Sequence, residues 1–388
     1  MTMFSIAGSR RAVLAAGLLA MLAATPALAQ IKIGVTLSTT GPAGSLGIPE
    51  KNTIALLPRT IAGKTVEYVV LDDASDSSAA VVNTRRLISE DKVDAIIGST
   101  TTPNTLAMID VIAENATPVI SLASSARIIE PMNAKKAWMF KTPQTDTMMV
   151  LAILEHAASR GIRTMGYIGF NDALGEAFYA EFEKFASVRN IKIAASERFA
   201  PRDTSVTAQV LKLVAAQPEM VVIGASGTPA VLPARALAER GYKGSVYFNH
   251  GVANNDFLRV GGKDIEGAFV PTSPVVVAAA LPANHPAKTQ AVDYAKRYEA
   301  ANGAGSASAF GAYTWDAGLL FASAIPVALK TAQPGTREFR SALRDALEGV
   351  RDLHVSNGVV NMSKNDHLGL DQRARVIVKV VDGKWRLE

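Results

Sequence analysis

Cysteine is absent from the 388-residue chain, which excludes a disulfide framework, a thiol nucleophile, thiolate-held metal and a cysteine-linked lipid anchor. Stability must come from ordinary hydrophobic cores, which a chain of this length can build. Histidine is scarce: His156, His250, His285, His354 and His367 are the only five, and no two share a metal-binding spacing. No Gly-x-Ser-x-Gly elbow occurs, and no glycine-rich phosphate loop of the GxxxxGK[ST] or GxGxxG kind. The sequence therefore offers no catalytic constellation, no metal site and no cofactor, and reads as a non-enzyme. Charge of one sign is not in large excess: 40 Lys+Arg stand against 35 Asp+Glu, a formal net of +5. No basic cluster with interleaved aromatics points to nucleic acid. Beyond residue 29 no apolar run is long enough to cross a bilayer.

What is present begins with an export signal. Arg10 and Arg11 close a positive stretch, Ala12 to Ala24 is apolar, and Ala27-Leu28-Ala29 supplies a small-x-small cleavage site. Residues 1–29 are expected to be removed, leaving a soluble exported protein that starts near Gln30. Ser9-Arg10-Arg11 leaves both general secretory and twin-arginine export open.

The stretch around which the remainder is organised is Val93 to Asn104. Val93 to Ile97 reads as a buried parallel strand, Gly98 ends it, four hydroxyl residues follow, and Pro103 suits the first turn of a helix to Glu114. In open α/β sheets such a loop lies at the carboxyl edge of the strands, where ligands bind, and its amides and helix end suit an anion. Before it, strand Ile31 to Leu37 runs into a flexible polar loop, Ser38 to Ser45; strand Lys64 to Leu71 ends in Asp72-Asp73; Ser77 is expected to cap a helix to Glu90. The same device returns at Glu219 to Pro229, with Gly224, small polar residues and Pro229 at a helix start. Alternating strands and helices imply parallel sheets with right-handed crossovers. Two copies of the loop imply two similar lobes facing each other across a cleft. After Pro271 come helices Ala287 to Ala301, Gly311 to Lys330 and Thr336 to Glu348, then strands Asn357 to Met362 and Ala374 to Val381. Late elements after a complete second lobe mean that the chain crosses more than once, making a hinge.

Together, Thr40-Gly41-Pro42, Asp72-Asp73-Ala74, Ile97-Gly98 with Thr102, Asn171-Asp172 with Gly175-Glu176, and Gly251 to Asn254 give the chain a family likeness. It resembles the periplasmic substrate-binding proteins of ABC importers, of the leucine/isoleucine/valine-binding kind. The resemblance implies an α/β fold of two Rossmann-like lobes with parallel central sheets and a three-crossover hinge. Lobe 1 would hold residues 30–142 and 272–354, and lobe 2 residues 143–271 and 355–388. It implies a monomer in the periplasm that delivers a small molecule to an inner-membrane permease.

The resemblance also implies site residues. A ligand carboxylate would be held by Thr102 and by main-chain and hydroxyl groups of Ala123 and Ser125. Where amino-acid binders carry an acid for the ligand ammonium, this chain has His250; where they carry pocket aromatics, it has Leu46, Leu174 and Ser226. An ammonium left without its partner costs about 3–5 kcal/mol, so the favoured ligand is an organic or aromatic acid without an α-ammonium. Asp256 or another acid could restore the charge, keeping branched-chain amino acids as the runner-up, with a sensory role for the same fold as a further alternative. One of Tyr313 and Trp315 is a weaker candidate for the cleft wall.

Overall fold

A computed structural model describes residues 30–388; the expected signal segment lies outside them. Two sheets form the frame. The first has the order β2-β3-β1-β4-β5-β6, from β1 (Ile31–Leu37), β2 (Thr60–Ile61), β3 (Lys64–Asp72), β4 (Ala95–Gly98), β5 (Val119–Ser121) and β6 (Met139–Lys141). The second runs β15-β14-β11-β10-β9-β7-β8, from β7 (Thr164–Phe170), β8 (Lys192–Phe199), β9 (Met220–Gly224), β10 (Ser245–Phe248), β11 (Phe269–Thr272), β14 (Val376–Val381) and β15 (Lys384–Leu387). Both are mostly parallel; the edge additions β2, β14 and β15 are antiparallel.

Each parallel core repeats one order, β3-β1-β4-β5-β6 in one lobe and β8-β7-β9-β10-β11 in the other. The order reverses beside β1 and β7, so the crevice of each sheet opens between β1 and β4 and between β7 and β9. The two hydroxyl-rich stretches follow β4 and β9, equivalent positions in the two lobes. Side-chain alternation builds a core on each face of the sheets. Ile97 and Ile120 point into one core, whereas their neighbours Ile96 and Val119 point into the other. In the second lobe Val221 and Ile223 oppose Met220 and Val222 in the same way.

Helices Lys288–Asn302, Ala309–Ala328 and Arg337–Glu348 return to the first lobe, where Tyr294, Phe321 and Phe339 join the β1 residues in one core. The hairpin of β12 (Leu353–Val355) and β13 (Gly358–Val360) also packs there, through Val355 and Val360, and Leu368 and Ala374 join the first lobe's other core. The chain thus re-enters the second sheet at Val376, well after the expected boundary at 354/355. The reason is Asp316, buried in the middle of helix Ala309–Ala328. It accepts the amides of Ser356 (2.8 Å) and Asn357 (3.2 Å) and the Asn357 side-chain amide (2.6 Å), tying the hairpin down.

A hydrogen-bonded chain runs through the crossings. Gln144, in the first crossing segment, donates to Asn357 Oδ1 (3.0 Å) and to the Ala374 carbonyl (2.5 Å), and accepts from the Tyr313 hydroxyl (3.1 Å).

Candidate ligand-binding cleft

Asp72 and Asp73, at the carboxyl end of β3, organise the first lobe's loops. Asp73 is fully buried. Its carboxylate accepts from Ser38 Oγ (2.6 Å), Ser99 Oγ (2.6 Å), the Ser75 amide (3.1 Å) and Thr36 Oγ1 (3.5 Å), joining the ends of β1, β3 and β4. Asp72 accepts from the amides of Thr39 and Ala74 (both 2.9 Å) and from Thr40 Oγ1 (2.6 Å). Burial pushes the Asp72 pKa up, but these hydrogen bonds outweigh it and the net direction is down. Ser38 to Ser45 is therefore a clamped turn leading into helix Gly44–Ile54, where the sequence suggested a flexible loop. The next helix is capped by Asp76, which accepts the Ala79 amide (2.8 Å), and Ser77 is already helical.

Between the lobes lies a small inner cavity. Of the seven residues anticipated from sequence, six line it: Leu46, Thr102, Ala123, Leu174, Ser226 and His250. Leu46 comes from helix Gly44–Ile54, Thr102 opens helix Thr102–Glu114, and Leu174 sits in the first turn of helix Ala173–Phe185. Ser226 follows β9, and His250 follows β10. Ser125 does not line the cavity; it is fully buried behind the wall, where its Oγ accepts the Arg127 amide (3.3 Å), and Ser124 takes its place. The Ala123 amide already donates to Ser121 Oγ (3.1 Å). The sequence reading missed Phe310 and Pro143 in the wall. Tyr313 lines the cavity, whereas Trp315 packs into the first lobe's core. Phe310 and Tyr313 stand one turn apart with rings edge to face, centroids 6.0 Å apart.

The lobes meet across this cavity. A Cβ on Gly227, beyond Ser226, would lie 3.0 Å from Leu46 Cδ1 of the opposite lobe, so little room remains between the two surfaces.

Three features define the chemistry. Thr102 Oγ1 is buried without a hydrogen-bond partner, and so are both ring nitrogens of His250. Burial, helped by the charge of Lys141, lowers the His250 pKa to about 3, which leaves the ring neutral near pH 7. No acidic side chain is among the lining residues. Asp256, the possible substitute, is half-buried away from the cavity wall and pairs with Arg259 (2.8 Å). Behind the wall, Lys141 is fully buried and donates to the carbonyls of Ser124 (2.5 Å) and Gln144 (3.1 Å). Burial pushes its pKa down, and the nearby charge of Asp146 pushes back. The Asp146 pKa moves up, again through burial, against the charge of Lys141 and the Ser124 and Ser125 side chains.

A family profile described as periplasmic binding protein matches residues 30–384. The structure of an extracellular ligand-binding receptor from Rhodopseudomonas palustris HaA2 is 43% identical, with TM-score 0.90, covering 93% of this chain and 100% of that one. More distant is the leucine-binding protein LivK of Thermotoga maritima (20% identity, TM-score 0.81, 92% and 97% covered). An R. palustris ABC-transporter solute-binding protein in complex with benzoate shares the fold at 18% identity (TM-score 0.78, 92% and 95% covered). No protein of curated function matches the chain. The profile match, the coverage and the twin switch-point loops carry one conclusion: the chain belongs to the periplasmic binding protein family, with the type I fold of its ligand-binding receptors.

Proposed function

We propose that this receptor is the extracytoplasmic solute-binding component of an ABC importer and that it captures a small carboxylate without an α-ammonium. The observation that carries this reading is the far end of the cavity, where a neutral, unpartnered His250 stands and no acid lines the wall. An α-amino acid would bury its ammonium there unpaired, at about 3–5 kcal/mol, more than a hundredfold in affinity. A carboxylate alone fits the opposite end. Thr102 Oγ1 donates to it, and the N-terminus of helix Thr102–Glu114 favours its charge. Leu46, Leu174 and Phe310 enclose an apolar body, and His250 meets a polar substituent.

Capture proceeds by closure. The first lobe, with its clamped loops, takes the carboxylate; the second then brings Leu174, Ser226 and His250 over the ligand and excludes water. Differential affinity for the closed form shifts the population toward it, and a membrane permease reads that form. A benzoate complex and a leucine-binding protein on this fold mark the two ligand classes to be separated.

The test is titration calorimetry on refolded, ligand-free protein, setting leucine, isoleucine, valine and phenylalanine against benzoate and 3-phenylpropanoate. The deaminated acids should bind, and Thr102→Val should weaken each by about tenfold or more, the loss of one hydrogen bond to a charged group. Tight leucine binding without response from the deaminated acids would sink the proposal and point to an amino-acid carrier.

A further inference from the structure

A second, larger hollow adjoins the inner cavity and opens to solvent. Thr101, Leu174 and Ser226 belong to both walls, so the two spaces are neighbours across a shared rim. Three helix N-termini converge on it, those of Ser77–Ser89, Thr102–Glu114 and Ala173–Phe185. Asn104 is only 1% exposed. Its Oδ1 accepts from Ser77 Oγ (3.1 Å), while its Nδ2 has no hydrogen-bond partner. A buried amide donor without an acceptor is costly to keep, which suits a site whose acceptor arrives with a ligand. Arg202 lines the same hollow, is exposed, and makes no hydrogen bond or ion pair among the described residues. The acidic group on the wall is Asp172, whose Oδ1 is taken up by the amides of Leu174 (2.9 Å) and Gly175 (3.1 Å). Burial moves the Asp172 pKa up, against the pull of those two amides. Between the polar ends, Leu174 and Phe170 supply an apolar floor.

We propose that the outer hollow is a second subsite, and that the receptor takes an elongated acid with a distal anionic group, a dicarboxylate on an apolar spacer. One carboxylate sits at Thr102; the spacer passes the rim at Leu174 and Ser226; the second carboxylate accepts from Asn104 Nδ2 and Arg202. The inference rests on the reading of the inner cavity as a carboxylate site, and it gives that site's ligand a length and a second charge.

Two probes separate the claims: 3-phenylpropanoate and 3-(4-carboxyphenyl)propanoate, titrated calorimetrically into the wild type, Arg202→Ala and Asn104→Asp. The diacid should bind the wild type about tenfold tighter than the monoacid, the gain of one charge-assisted contact. Arg202→Ala should erase most of that gain. Asn104→Asp keeps an oxygen for Ser77 but sets a negative charge against the distal anion, and should abolish the gain. Arg202→Ala should hold the monoacid within about twofold of wild type, since Arg202 lines only the outer hollow. Should Asn104→Asp fail to fold, exposed Arg202→Ala carries the comparison. A wild type that binds the monoacid but gains nothing from the second carboxylate overturns the subsite alone, and so does a gain that survives in both variants. A wild type that binds neither acid overturns the inner-cavity reading and this inference with it.

Discussion

The two lobes share a strand order and place the same glycine–hydroxyl–proline device after equivalent strands, yet they hold that device in different ways. In the first lobe a buried carboxylate does it: Asp73 ties Thr36, Ser38, Ser75 and Ser99 to one point. In the second lobe no acid plays this part. The Gly227 amide donates to the Gly251 carbonyl (2.8 Å), and Gly224 and Gly169 make room for the Tyr167 ring, whose hydroxyl donates to the Gly175 carbonyl (2.7 Å). One lobe is thus held by charge-assisted side-chain bonds and the other by close backbone approach. The first suits a fixed anchor for an anion. The second suits a surface that must come to lie flat against its neighbour, because glycine leaves nothing projecting.

The comparison can be broken most forcefully at Asp73. Asp73→Ala leaves three hydroxyls and an amide without their acceptor, and should lower stability by about 3–5 kcal/mol. Chemical denaturation checks this, and a loss under 1 kcal/mol would mean that the first lobe's loops hold themselves. Next in size is acidification, which reads the second lobe through His250. Its folded pKa lies near 3, below the ordinary 6.5. Below 6.5 the unfolded chain binds a proton that the folded chain refuses, so stability falls with pH from about 6.5 toward 3. At pH 5 the loss should be roughly 2 kcal/mol, and His250→Gln should remove that part of the slope in thermal melts at pH 5 and pH 7. An unchanged slope in the variant would show that the ring is solvated. Smallest is Gly227→Ala. Gly227 has φ +65 and faces Leu46 across the cleft, so the methyl should cost about 1 kcal/mol of stability and a further few-fold in affinity. Equal affinity in the variant would mean that ligand binding does not bring these surfaces together.

Much of the frame was legible in the sequence because its strands are short β-branched runs ended by glycine, and its switch-point helices begin at proline or at small polar residues. Helix Gly44–Ile54 was not legible: two glycines and Pro49 within it mask its period. Phe310 escaped for the opposite reason, and Tyr313 could not be separated from Trp315 as the residue that faces the cleft. Helix Ala309–Ala328 is buried along most of its length, so no face stands out as the one that meets a ligand. The Asp72-Asp73 pair was visible, but its partners lie as far off in sequence as Thr36 and Ser99. Ser125 illustrates the limit from another side. Spacing cannot say which of two adjacent serines points into the cleft, and the neighbour Ser124 lines it. The attachment of the hairpin to the first lobe depends on Asp316 reaching Ser356 and Asn357, forty residues on, which no local pattern records.

The Gln144 amide has one further consequence, for how such a receptor can change its diet. It is held at once by Tyr313, Asn357 and the Ala374 carbonyl, so segments from different passes of the chain are geared to each other. Of the residues in that gear, Tyr313 alone also faces the cavity. Leu46, Leu174, Ser226 and His250 stand outside it. Substitutions among those four should therefore retarget recognition while leaving this hydrogen-bonded linkage intact, which makes the scaffold a natural starting point for a sensor whose reading head and mechanical linkage are tuned separately.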